Sequence, residues 1–194
     1  SGGIKGFIPA GFSEKLRPIG RVHVQVFGRR IMAAASDTVK KVFLELGGKS
    51  AFILLDDADL QNAVMFGSAM VCSHAGQGCA ITTRMLVPAS MYEEAKTMSA
   101  AILQSIPYGD PTDEANLMGP LISAGQRAKV ERMVAEAVDA GAVVEVGGRR
   151  PGHLATGFYY EPTLLSGVDE NAGIAQEEVF GPVLCMIPYE GDEE

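Results

Sequence analysis

The chain has 194 residues, 47% of them hydrophobic and 21% charged, with a formal net charge of -8. That length allows a large domain with a substantial core, the acidic balance speaks against a nucleic-acid partner, and no apolar run approaches the roughly eighteen residues of a membrane span. The opening "SGGIKGFIPAGF" lacks a basic region followed by a sustained apolar one, so a cytoplasmic location is expected.

Charge is uneven along the chain. Residues 1–50 hold nine lysines and arginines against three acidic residues, whereas residues 51–194 hold seven against twenty-one. A basic tail that binds a partner and a merely solubilising segment both fit that asymmetry. Three cysteines, Cys72, Cys79 and Cys185, are odd in number and lack the paired spacing of a zinc site. They read as free thiols in a reducing compartment. His23, His74 and His153 show no metal-ligand spacing, and no metal is expected.

In chain order, residues 1–28 are punctuated by glycine and proline and offer one short alternating strand candidate, "RVHVQVF". Two apolar bursts follow, "VFLEL" and "SAFILL", separated by Gly47 and Gly48, which suits buried strands of a parallel sheet. "DDADLQNAVMFGSAMVCSHAG" predicts a buried helix capped by Asp56 or Asp57 and ending near Gly76. "TTRMLVP" predicts a strand stopped by Pro88. Ser90 with Glu93, and later Ser123 with Gln126, have the spacing of capping boxes that open two further helices. Val130, Met133, Val134, Ala137 and Val138 keep helical spacing in the second of these, and Gly141 supplies its stop. "AVVEVGG", "FYYEPTLLSGV" and "VFGPVLCMIPYE" predict three more strands. Strands alternating with helices define an α/β fold with a largely parallel sheet flanked by helices.

Three groups invite chemistry. Cys79 stands in "HAGQGCAITTR" behind Gly76 and Gly78, where the backbone can fold tightly and a substrate can approach. As a thiolate it would be a nucleophile; as an ordinary free cysteine it would be buried. Cys72 and Cys185 lie in apolar stretches and belong to the core. Glu45 interrupts the apolar "VFLELGG", either as a general base facing a cavity or as an outward-facing strand residue. In "EEVFGP", Glu178 could hydrogen-bond a ribose while Phe180 packs on a flat cofactor; a helix end followed by a turn is the alternative. His74, five residues before Cys79, is the other conceivable base, although nothing in its loop is arranged to orient an imidazole.

"KKVFLELGGKSAFILLDDADL", "HAGQGCAITTR", "GPLIS", "GFYYEPTLL" and "EEVFGPVL" occur in the order and approximate spacing of the NAD(P)-dependent aldehyde dehydrogenase superfamily, which residues 29–194 resemble as a truncated catalytic domain. The resemblance implies that Cys79 attacks an aldehyde carbonyl to give a thiohemiacetal, that hydride leaves to NAD or NADP, and that Glu45 activates water to hydrolyse the remaining thioester to an acid. It further implies that Glu178 holds the nicotinamide ribose, that Phe180 packs near the nicotinamide, and that Gly47 leaves room beside the cofactor. The N–H of Cys79 would form half of an oxyanion hole.

In the resembling family, most of the cofactor domain precedes the "LELGG" strand. The glycine-serine-threonine turn expected before "GRRIM" reads "HVQ" at 23–25, with only Gly28 kept. Side chains there would obstruct a pyrophosphate. Residues 1–28 are therefore expected to be an atypical segment, foreign or a remnant of that domain. The expected fragment keeps its nucleophile but holds the cofactor poorly, leaving thiol chemistry such as ester hydrolysis or covalent capture of an aldehyde. An exposed apolar face on such a domain favours a homo-oligomer.

Overall fold

Residues 24–190 are described by a computed structural model, and the chain divides into two compact units, Ser1–Gly47 and Gly48–Glu194. The first contains helix α1, Val24–Ser36. The strand expected at "RVHVQVF" is thereby corrected: residues 24–27 are helical, and 21–23 lie outside the described residues. Two or three alternations are too short to outweigh the alanine-rich "RRIMAAAS" that follows, through which a helix propagates readily. Residue 28, the limit drawn for the atypical segment, falls inside α1. A Cβ on Gly28 would lie 3.0 Å from Leu44 Cδ1, so this glycine admits close packing of residues 44–46.

The second correction concerns "VFLEL". Val42, Leu44 and Leu46 are half-buried while Phe43 and Glu45 are exposed, which is a strand's alternation, yet residues 42–46 form no strand. The side-chain pattern is present without a neighbouring ladder to satisfy the backbone.

In the second unit five strands form one sheet in the order β1-β2-β5-β4-β3. They are β1 Ser50–Ile53, β2 Thr82–Pro88, β3 Val143–Val146, β4 Thr163–Ser166 and β5 Val183–Tyr189. β1, β2, β5 and β4 run parallel, and β3 pairs antiparallel with β4. The largely parallel α/β fold read from the sequence is observed.

Helix α2, Leu60–Met70, is capped by Asp59, whose carboxylate accepts from Asn62 N at 3.1 Å; neither Asp56 nor Asp57 has that role. α2 stops at Met70 and a short 3-10 turn covers Ser73–Gly76. Helix α3, Tyr92–Ser105, lacks the expected Ser90 cap, because a 3-10 turn at Ala89–Met91 leads into it and Met91 takes the cap position. Helix α4, Ala124–Asp139, begins as expected, with Ser123 Oγ accepting from Gln126 N at 3.1 Å. Gly141, at φ +103°, follows its end. α5, Gly173–Gln176, is a single turn.

Leu54, Met85, Val87, Leu184 and Met186 are fully buried in the core. α2 approaches β1 and β2 closely at Gly67, where a Cβ would lie 2.5 Å from Met85 Cε and 3.0 Å from Phe52 Cδ1. α2 and α3 are joined by a buried bond from Ser68 Oγ to Ser99 Oγ, 2.9 Å. On the opposite face α5 meets Cys185, whose thiol lies 3.8 Å from Ile174 O. Along β2, Thr83, Met85 and Val87 are buried while Thr82, Arg84 and Leu86 are only half-buried, so that second face is more open at β1 and β2.

Both serine hydroxyls are fully buried, so Ser68→Ala strands that of Ser99. The expected loss is about 1–3 kcal/mol in urea unfolding, whereas the double variant Ser68→Ala/Ser99→Ala recovers most of it.

Candidate functional site

A β-turn closed by Ile81 N donating to Gly78 O at 3.2 Å carries Cys79 at its tip. Cys79 is exposed, and its N–H makes no hydrogen bond among the described residues. The approach to this turn is held in left-handed backbone at three successive residues, His74 (φ 49°), Ala75 (φ 55°) and Gly76 (φ 72°). Two of these carry a Cβ, so the conformation costs on the order of 1 kcal/mol each and must be imposed from outside.

Gln77 supplies part of that constraint. Its amide donates to His74 O at 3.1 Å, and its Oε1 accepts from Ile122 N at 2.9 Å, tying "HAGQGC" to "GPLIS". A tighter constraint lies at Gly76. A Cβ there would fall 2.0 Å from Gly181 O, so the loop before Cys79 and the "EEVFGP" turn meet backbone to backbone. Gly181 in turn faces α4, where its Cβ would fall 2.5 Å from Val130 Cγ2.

The "EEVFGP" turn is clasped by the first two turns of α4. Gln126 Nε2 donates to Val179 O at 2.9 Å and to Phe180 O at 2.7 Å, and Lys129 Nζ donates to Glu178 O at 2.6 Å. Burial holds the Lys129 ammonium below the usual lysine range, with Glu178 and Glu177 opposing that shift. Phe180 is half-buried, with φ at 57°. The carboxylate of Glu178 accepts from Gly48 N at 3.3 Å. Gly48 also neighbours the Cys79 turn: a Cβ there would stand 3.9 Å from Cys79 O.

The structure therefore brings Cys79, Glu178 and Phe180 into one neighbourhood around Gly48. Glu45 and Gly47 belong to the first compact unit, where both are exposed. The His74 imidazole is exposed and forms no hydrogen bond among the described residues, so nothing orients it as a base. Cys72 and Cys185 are buried, as expected. Burial pushes the Cys72 thiol up to about 12 and raises that of Cys185, where Lys49 and Arg84 oppose the shift.

Sequence reasoning missed Gln126 and Lys129 as supports of the turn. Gln126 was legible only as a capping-box residue, although its side chain leaves its own helix to hold residues 179 and 180. Lys129 was hidden in an amphipathic helix whose charged residues usually face water.

The aldehyde dehydrogenase family model matches residues 23–194. The 3-succinoylsemialdehyde-pyridine dehydrogenase of a Pseudomonas species is 44% identical over 167 residues, 86% of this chain and 35% of the relative. The betaine aldehyde dehydrogenase of Bacillus subtilis is 43% identical, again over 86% of the chain and 34% of the relative. Among solved structures, a Mycobacterium tuberculosis aldehyde dehydrogenase complexed with NAD+ superposes with a TM-score of 0.83 at 43% identity, covering 87% of this chain and 35% of that one. This chain belongs to the aldehyde dehydrogenase family, and it spans about a third of the length of these relatives.

Two outcomes are expected. Native protein treated with iodoacetamide takes up one label, at Cys79, and all three cysteines react in denaturant, as intact mass and peptide mapping will show. Gln126→Ala withdraws both donors from the turn and lowers stability by about 1–3 kcal/mol in urea unfolding.

Proposed function

We propose that this chain supplies the catalytic half of an NAD(P)-dependent aldehyde dehydrogenase, oxidising an aldehyde to a carboxylic acid through covalent chemistry at Cys79. The observation that carries the reading is the arrangement about Gly48, with the Cys79 carbonyl on one side and the Glu178 carboxylate hydrogen-bonded to its N–H on the other. A group held by Glu178 would thus lie near the turn that carries Cys79.

The residues present fit the nicotinamide end of the cofactor. Glu178 offers carboxylate oxygens to ribose hydroxyls and Phe180 offers a half-buried ring, while the family resemblance assigns the space beside the cofactor to Gly47. When bound, the nicotinamide supplies the hydride acceptor for the reaction. Cys79, as thiolate, forms the S–C bond to the aldehyde carbon, and the oxygen that becomes negative is met by the Cys79 N–H, which has no other partner among the described residues. After oxidation a thioester remains on Cys79. Glu45 takes a proton from water, the water oxygen bonds to the acyl carbon, and the C–S bond breaks to release the acid and the thiolate.

Cofactor choice between NAD and NADP, the aldehyde, and assembly as a homo-oligomer in the cytoplasm belong to this same reading. A second reading rests on α1, where Gly28 lies within a helix and its Cβ position is closed by Leu44 and Leu46. That glycine admits packing where the family resemblance calls for an opening to a pyrophosphate. Chemistry that needs only Cys79 and a pocket, such as ester hydrolysis or aldehyde capture, follows from it.

NADH formation by the purified chain with a panel of aldehydes separates the two. Turnover abolished by Cys79→Ala, together with a rise in melting temperature on adding NAD+, is expected from the first. No NADH and no thermal shift, with Cys79 still alkylated selectively, leaves the second.

A further inference from the structure

We propose that Lys49, Thr82 and Arg84 form a binding site for an oxyanion, a carboxylate or phosphate group, at the entry of β1 and β2. Four buried side-chain polar atoms find no hydrogen-bond partner among the described residues, and three of them, Lys49 Nζ, Thr82 Oγ1 and Arg84 Nε, belong to this one place. The fourth, Arg127 Nε, stands 3.7 Å from Glu131 and so has a counter-charge.

The three groups lie where β1 joins β2. Ser50, next to Lys49, pairs with Thr82, and Ala51 pairs with Arg84, the register shifting between these two pairs. Thr82 and Arg84 are both half-buried while Thr83 between them is buried. Arg84 Nη2 donates to Lys49 O at 2.5 Å, which fixes the guanidinium beside that residue. Cys185 and Arg84, register partners on β5 and β2, both act on the Lys49 ammonium.

An ammonium, a hydroxyl and one guanidinium N–H left unpaired in a buried position are costly. Burial holds the Lys49 ammonium below the usual lysine range, with Arg84 and Lys129 adding to that shift and Cys185 and Glu178 opposing it. Glu178 does not supply the missing partner: among the described residues its carboxylate accepts from Gly48 N and forms no ion pair with Lys49. Two positive donors beside a hydroxyl are the complement of an oxyanion, which accepts from all three. Arg84 also lines a cavity of about 930 Å³ together with Leu86, Ile187, Asp56 and Asp57, which opens a path from solvent. Those aspartates follow β1, and Glu170 also lines the cavity. This inference is independent of the cofactor reading.

The test compares melting temperature in sodium phosphate, sodium acetate and sodium chloride at matched ionic strength, for the native chain, Lys49→Met and Thr82→Val. Phosphate or acetate at about a hundred times its dissociation constant should raise the native melting temperature by about 5 °C or more. Both variants should lose that increment, keeping only the general salt effect, and Lys49→Met in chloride should melt no lower than the native chain, because an uncompensated buried charge is gone. If the oxyanion is instead an acidic side chain of a second copy, light scattering will show self-association that Lys49→Met abolishes and phosphate reverses. Absence of both the anion effect and Lys49-dependent association overturns the proposal. So does a full anion-dependent increment retained in both variants.

Discussion

The contact on which the site depends is the one between Gly76 and Gly181. Two loops distant in sequence approach so closely that a single methyl group on Gly76 would overlap the Gly181 carbonyl. One loop leads to Cys79 and the other carries Glu178 and Phe180. Gly181 in turn meets the Val130 side chain of α4. The Cys79 loop, the carboxylate turn and the helix therefore form one stack. Because the loop and the turn meet through backbone, their separation is set by covalent geometry and hydrogen bonds, not by side chains free to change rotamer. The left-handed run at His74, Ala75 and Gly76 and the left-handed Phe180 are the conformational cost of that approach, offset by Gln77, Gln126 and Lys129, whose polar ends all reach backbone in neighbouring segments.

Much of the fold was legible because its signals are local. β2 occupies the seven residues of "TTRMLVP", bounded by the proline that ends it, and α4 runs from the Ser123 cap almost to Gly141. Errors arose where a local pattern needs a distant partner. "VFLEL" has the alternation of a strand, but alternation describes side chains, and a strand also needs a ladder. Ser90 and Glu93 have capping-box spacing, but Pro88 precedes them and a 3-10 turn absorbs the serine before α3 begins. Asp56, Asp57 and Asp59 are equally good caps on paper; Asp59 wins because the helix starts at Leu60.

The site was legible in its residue types and less so in its supports. Glycines flanking a cysteine announce a tight, accessible turn, and Cys79 is found at such a tip. Nothing in "KSAFILL" announces that the lysine before β1 is buried without a partner, since burial of a lysine is decided by which strand lies alongside. The same holds for Arg84, which looks like the charged position of an alternating strand and instead donates to the backbone of Lys49. Both features become visible only once the register of β1 on β2 is known.

The strand order also constrains when the domain can form. β5 is the last of the five in the chain, yet it lies at the centre of the sheet, between β2 and β4. β2 and β4 therefore have no direct neighbour in each other, and nothing synthesised earlier can join them. During translation the chain can hold only two separate halves, β1 with β2 and β3 with β4, each with an open inner edge awaiting the same insertion. Closure of the sheet is then a late event that links residues about a hundred positions apart, a route that exposes unpaired edges and favours recruitment of chaperones before the Cys79 loop can meet its partner turn.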